Sequence, residues 1–162
     1  MLFRSKSHRL TCLSDLIATC AAIVGAKLPA NVGEDSVNML PGLLGNETDS
    51  LREAIVHHSA DGSFSIRQGK WKLELCPGYG GWGKPGNFDA GKQGLPSVQL
   101  YDMTVDIRER TNVQADHPKI VEKLTNLMKQ YIADGRSTPG PPQQNDVPIE
   151  LLKIPTKEIA HE

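Results

Sequence analysis

The sequence predicts an α+β fold, a four-stranded antiparallel sheet with a C-terminal helix packed on it. Three observations carry this. Between residues 54 and 103, four short runs alternate apolar and polar residues, separated by turn residues. Residues 116–134 carry apolar side chains at helical spacing. A sheet with one apolar face must cover it, and the stripe of that helix is the matching surface.

The first element is a helix near the N-terminus. Leu16, Ile17, Cys20, Ile23 and Val24 recur at helical spacing, and Gly25 offers a C-cap. Ser14 reads as its N-cap, Asp15 as an acid on the positive end of the dipole, and Leu13 as half of a hydrophobic staple. Arg4, Lys6, His8 and Arg9 before the apolar run Leu16–Ala26 imitate an export signal, and Ile17–Cys20 faintly imitates a lipoprotein cleavage site. The capping residues favour an ordinary buried helix. A Gly- and Pro-punctuated connector follows, from Ala26 to Thr48. Within it Met39, Leu40, Leu43 and Leu44 fit one helical turn.

The strands come next. Ala54–Ser59 is the first, and Asp61-Gly62 turns the chain. Ser63–Arg67 is the second, with Phe64 and Ile66 on one face. Gln68-Gly69 makes the next turn, where glycine supplies positive φ. In Lys70–Cys76, Trp71, Leu73 and Leu75 face the core while Lys70, Lys72 and Glu74 face solvent. Nearly half of Pro77–Ser97 is Gly or Pro, so it reads as a loop. Val98–Met103 is the fourth strand.

The clearest helix begins with Asp116 as N-cap and Pro118 in the first turn. Ile120, Val121, Leu124, Leu127, Met128, Tyr131 and Ile132 form its apolar stripe, and Gly135 and Pro139 end it. Residues 137–162 are proline-rich and read as a tail, extended or disordered by itself, with Leu151, Leu152 and Ile154 available to dock.

The chain has 162 residues, a net charge of −1 and 38% hydrophobic residues, which suits one modest domain. With no dense Lys/Arg block, nucleic acid is not an expected partner. No apolar run reaches the ~20 residues of a membrane span. Cys12, Cys20 and Cys76 are too few and too odd in number for a disulfide framework, and no CxxC pair indicates zinc.

Two segments resemble the C-terminal subdomain of bacterial arylsulfatase-like enzymes. One is Arg52–Leu75 (REAIVHHSADGSFSIRQGKWKLEL). The other, Leu100–Val113 (LYDMTVDIRERTNV), resembles the signature Leu-Tyr-Asp-x-x-x-Asp-Pro-x-Glu-x-x-Asn-Leu. Leu100, Tyr101, Asp102, Asp106, Glu109 and Asn112 match it; Ile107 and Val113 depart from it. Leu13–Gly25 resembles the helix that closes the large sulfatase domain, and Asn31–Gly45 resembles the connector between domains. The resemblance implies three parts: residues 1–47 as a helix and connector from the large α/β sulfatase domain, 48–136 as the C-terminal subdomain, and 137–162 as a Pro-rich tail.

It also implies a reaction, hydrolysis of an aryl or carbohydrate sulfate ester. In that family a Cys or Ser in Cys/Ser-x-Pro-x-Arg becomes formylglycine. Its hydrated aldehyde attacks sulfur, and a divalent cation, usually calcium, stabilises the sulfate oxygens. This chain carries no such motif. Cys12 is followed by Leu-Ser-Asp, Cys20 by Ala-Ala-Ile, and Cys76 by Pro-Gly-Tyr. The family's metal-binding aspartates and catalytic lysine belong upstream of what the chain contains. The expectation is therefore a fragment, inactive alone, with no catalytic or metal residues of its own. His57 and His58, at the end of the first strand, are the candidate substrate-binding residues, because that edge faces the pocket in the family. Adjacent strand residues point to opposite faces, so at most one of them reaches it. Tyr79, Trp82 and Phe88 form a candidate aromatic platform, weighed against a mobile surface loop. Asp102, Asp106 and Glu109 read as turn acids rather than catalytic carboxylates. The alternative function is a non-enzymatic interaction module that self-associates through the exposed N-terminal helix, or a small exported protein. Relatives of full length are commonly periplasmic or secreted.

Overall fold

The computed structural model describes residues 9–46 and 51–152. Arg4, Lys6, His8 and Ile154, singled out above, lie outside the described residues. Two compact units result. One combines residues up to Ile55 with Gln130–Asp146; the other combines Val56–Lys129 with residues from Val147 on.

In the first unit, a 3-10 turn at Leu13–Asp15 leads into α1 (Leu16–Val24). Gly25, at φ 71°, ends α1 as expected. The start of α1 differs from the expectation. Ser14 lies inside the 3-10 turn, and its hydroxyl sits 2.7 Å from the Cys12 sulfur rather than capping α1. Asp15 directly precedes α1 and is 1% exposed. Its Oδ2 accepts from the Cys12 N–H at 2.9 Å, and its Oδ1 accepts from the Val37 N–H at 3.0 Å. The Arg52 guanidinium forms an ion pair with the same Oδ1. One turn on, Thr19 Oγ1 donates to the Asp15 carbonyl at 2.6 Å and accepts from the Met39 N–H at 2.9 Å. The Ser36 hydroxyl accepts from the Ala18 N–H at 2.9 Å.

These bonds turn the polar side of α1 inward. Its buried residues are Thr19 and Ala21. The apolar stripe Leu16, Ile17, Ile23 and Val24, with Cys20, is exposed, and Leu13 before it is 85% exposed. The expected burial of that stripe is thus reversed. The connector it lies against carries unpaired backbone donors, and Asp15 and Thr19 answer them where apolar side chains cannot. The short turn foreseen near Met39 is α2 (Leu40–Leu43).

The stretch after residue 136, read as a tail, is tied down as far as Asn145. Arg136 donates through Nε to the Thr138 carbonyl (2.8 Å) and through its Nη atoms to the carbonyls of Ala30 (3.3 Å), Pro139 (3.2 Å) and Pro141 (3.0 Å). The Ser137 N–H donates to Asp35, Thr138 Oγ1 to the Glu34 carbonyl, and Asn145 Nδ2 to the Ile132 carbonyl. Proline-rich sequence cannot make a ladder, so the planar guanidinium gathers its carbonyls instead.

The sheet is a meander of β1 (Ile55–His58), β2 (Phe64–Gln68), β3 (Trp71–Glu74) and β4 (Gln99–Asp102), in that order, as the alternation predicts. Register places Ile66 opposite Leu73 and Leu73 opposite Leu100. All three are fully buried and form one row across three strands. Phe64 and Leu75 extend the same face. A one-residue slip would turn that row to the other face of the sheet, so burial fixes the register. Trp71 is half-buried rather than core, its ring 4.8 Å from that of His117.

The loop read at Pro77–Ser97 contains an unforeseen helix, α3 (Asn87–Lys92), with Ala90 fully buried. Gly91 inside it and glycines on both sides hid the pattern. The last helix, α4 (Pro118–Asp134), opens at Pro118, one residue later than predicted. Asp116 lies in the preceding turn, and the His117 carbonyl accepts from Ile120 and Val121. Leu124 and Met128 are its buried residues, and Gly135, at φ 61°, follows its end.

Truncating one member of a buried ion pair strands the other. Asp15→Ala is expected to destabilise the first unit by about 3–5 kcal/mol, read from urea unfolding. Leu16→Ser, on the exposed side of α1, should change stability by under about 0.5 kcal/mol.

Candidate functional site

β1 brings His57 and His58 to its exposed end, beside the turn at Asp61-Gly62. Both are exposed. The His58 ring meets Phe64 of β2 edge-on, with centroids 4.3 Å apart and planes at 77°. His58 therefore packs against Phe64, and its neighbour His57 points to the other face of the strand.

Each residue matching the family signature has a definable bond. Leu100 belongs to the buried row. The Tyr101 hydroxyl donates to Gln99 Oε1 at 2.7 Å, and burial pushes its ionisation well above the usual range. Asp102 Oδ1 accepts from the N–H and hydroxyl of Thr104, while Oδ2 meets Lys70 at 2.6 Å. These bonds, Lys70 first, pull the Asp102 carboxyl down to about 2. Asp106 Oδ2 accepts from the N–H groups of Arg110 and Thr111. Glu109 stands at φ 54°, a conformation seldom taken by side chains other than Asn or Asp, and it bridges to Lys72 at 2.7 Å. Asn112 Oδ1 accepts from the Leu100 and Gln114 N–H groups at 3.0 Å, and its Nδ2 donates to the Val98 carbonyl.

The signature thus encodes a turn that doubles back along β4, with side chains supplying the pairing a fifth strand would give. Asp102 and Asp106 accept from backbone donors of the turn, as turn acids do, while Glu109 is committed to Lys72. Lys72 is not simply a solvated side chain. Burial opposes its charge, but bonds to Glu109 and Glu74 outweigh that and raise its pKa.

Loop Pro77–Ser97 is braced rather than loose. Asn87 Oδ1 accepts from the Gly78 N–H at 3.0 Å, and its Nδ2 donates to Asp61 Oδ2 (2.6 Å) and Ser63 Oγ (2.9 Å). Gln99 Nε2 holds the Cys76 and Gly78 carbonyls. Gly83 lies directly against the Tyr79 ring, where a Cβ would stand 2.7 Å from it. Trp82 is 95% exposed and Tyr79 67%.

Cys76 is buried, and desolvation raises its thiol to about 11, so it is a poor nucleophile at neutral pH. The first unit holds an open cleft of about 430 Å³ whose lining includes Arg52, Glu53, Tyr131, Asp134 and Arg136. Arg52 is committed to Asp15 and Arg136 to carbonyls, so the cleft offers no cation poised for an anion.

Among the described residues, no group of three or more His, Cys, Asp or Glu is placed to hold a metal ion. The donors of the described residues do not fit the calcium the resemblance implies, and the sequence does not fit formylglycine. The nearest match, Ser137-Thr138-Pro139-Gly140-Pro141, has proline where arginine is required. Among the described residues, no helix is long and apolar enough to cross a membrane.

Asn112→Ala leaves the buried Leu100 N–H without its acceptor and should cost about 1–3 kcal/mol, measured by thermal or urea unfolding. Asp102 has a folded pKa depressed from 3.8 to about 2. Its contribution is therefore present above about pH 4 and is lost as pH falls toward 2, and Asp102→Asn should flatten stability over that window. In the folded protein at mildly alkaline pH, iodoacetamide should modify exposed Cys20 and spare Cys76 until denaturant is added; mass spectrometry reads both.

No family model matches the chain. It is 32% identical over 128 residues to an N-acetylgalactosamine-6-O-sulfatase of Bacteroides thetaiotaomicron, covering 77% of this chain and 24% of the relative. A solved structure designated BT33336S-sulf, from work on the metabolism of multiple glycosaminoglycans by Bacteroides thetaiotaomicron, superposes with a TM-score of 0.57. It is 30% identical and covers 72% of this chain and 24% of that one. The fold recurs, at 21% identity and a TM-score of 0.50, in BT4656, solved in complex with its substrate D-glucosamine-2-N,6-O-disulfate, over 72% of this chain and 22% of that one. The chain spans about a quarter of the length of these relatives. Over most of its length it is homologous to sulfatases, and its sheet and helices have the fold of their C-terminal subdomain.

Proposed function

We propose that this chain is the C-terminal part of a sulfatase that hydrolyses the sulfate ester of an amino sugar, and that it has no turnover unless a catalytic lobe is supplied. The observation that carries the reading is the similarity to an N-acetylgalactosamine-6-O-sulfatase, joined to the lack of a Cys/Ser-x-Pro-x-Arg nucleophile in the 162 residues. Formylglycine and calcium would come with that lobe. The exposed side of α1 supports it as well. Leu13, Leu16, Ile17, Ile23 and Val24 form an apolar surface of the kind that a soluble domain covers. His57 and His58 are the proposed substrate-side candidates; they stand on opposite faces of β1, so at most one of them meets the substrate.

The chain alone, with calcium, is expected to give no hydrolysis of an aryl sulfate or of N-acetylgalactosamine 6-sulfate above background. Coexpression with residues of the relative that lie outside the matched segment should restore turnover, and His57→Ala should then raise KM. Turnover by the chain alone that disappears in His57→Ala would overturn the proposed incompetence.

The same apolar side of α1 favours a second reading, an interaction module that self-associates. Light scattering would show a dimer that Ile17→Asp and Val24→Asp convert to monomer. A monomer that binds no hydrophobic dye counts against it.

A further inference from the structure

Two exposed surfaces of the chain differ in chemistry. The α1 surface is aliphatic: Leu13, Leu16, Ile17, Ile23 and Val24. Aliphatic patches of this kind mark contacts between proteins. The exposed surface of the loop before α3 consists of two aromatic rings, Trp82 and Tyr79, with Gly83 and Lys84 beside them. No exposed aliphatic residue lies between them in the chain. Isolated rings set among glycines and polar groups suit a flat ligand that is apolar on its face and hydrogen-bonding at its rim.

The backbone of the loop that carries those rings is braced. Gly80, at φ 62°, packs against the Ser59 side chain, and its carbonyl accepts from the Asp61 N–H at 3.1 Å. The Tyr79 N–H donates to the Pro85 carbonyl at 3.1 Å, closing the base of the tip that carries Trp82. Gly83 fills the space beside the Tyr79 ring. Asn87 ties the start of the loop to Asp61 and Ser63 on the β1–β2 turn. A binding surface whose backbone is already ordered loses little entropy when the ligand arrives. An indole that is 95% exposed on such a support has no packing role among the described residues.

We infer that Trp82, with Tyr79, is a stacking platform for a pyranose ring of a glycan. The C–H groups on one face of a pyranose carry partial positive charge and meet the negative face of the indole, while its hydroxyls stay in water. The inference rests on the sulfated-sugar reading above for its choice of ligand, and it adds to that reading a sugar subsite on the C-terminal unit.

The test uses the full 162-residue chain, labelled with nitrogen-15, titrated with N-acetylgalactosamine 6-sulfate, with a chondroitin sulfate oligosaccharide and with inorganic sulfate. The indole N–H signals of Trp71 and Trp82 are told apart by their response to Trp82→Ala, a change on an exposed loop tip. Saturable movement of the Trp82 signal with both sugars, none with sulfate, and at least a tenfold loss of affinity in Trp82→Ala support the platform. Trp82→Phe should retain part of the binding. No saturable movement up to the solubility limit of the oligosaccharide overturns it, and so does equal binding by Trp82→Ala. If a catalytic lobe restores turnover while Trp82→Ala leaves KM and kcat unchanged, the platform falls and the sulfatase reading stands. If sugar binds through Trp82 but no lobe restores turnover, the reverse holds.

Discussion

A carboxylate taken out of water costs several kcal/mol unless charge and hydrogen-bond donors replace its hydration. Asp15 is in that position, and the first unit is arranged around it. Arg52 supplies the charge, and the Cys12 and Val37 backbones supply donors. Thr19 and Ser36 repeat the device one turn further along. The apolar core of this unit is small: Ala21, Ala54 and Ile55 are its buried hydrophobic residues among those described. Polar bonds from α1 to the connector therefore do what a core does elsewhere. The consequence is that the aliphatic side of α1 faces outward.

The second unit is held differently. The Ile66–Leu73–Leu100 row anchors three strands by burial, and the segment after β4 is held by side chains acting as backbone partners. This gives the family-like signature a physical meaning. Asp102, Asp106 and Asn112 each accept two backbone or hydroxyl donors, and Glu109 pairs with Lys72 across the sheet face. Residues with such bonds are costly to replace whether or not any chemistry occurs nearby. A diagnostic motif in this chain is thus a folding motif, and its presence does not bring a nucleophile with it.

The unit that carries the candidate histidines also carries a braced aromatic loop. Asn87 and Asp61 connect that loop to the turn after β1, so His57, His58 and Trp82 belong to elements joined by hydrogen bonds through the Asp61 turn. His58 is drawn into a ring contact with Phe64 of the neighbouring strand.

By itself the sequence determined the meander, its turns at Gly62 and Gly69, and the end of the last helix at Gly135. Period-two alternation and glycine at positive φ are local requirements, legible wherever they occur. It also determined that the sulfatase nucleophile motif is lacking in these residues. Tertiary structure decided which side of α1 is buried, because periodicity finds an apolar face but cannot see that the connector needs donors and acceptors from the other side. It decided that Arg136 would gather a proline-rich stretch, a non-local choice made by a side chain reaching carbonyls as distant in sequence as Ala30. It also decided that a glycine-rich loop would be tied to its neighbours, since the bracing comes from Asn87, Asp61 and Gln99, residues whose partners no local pattern reveals.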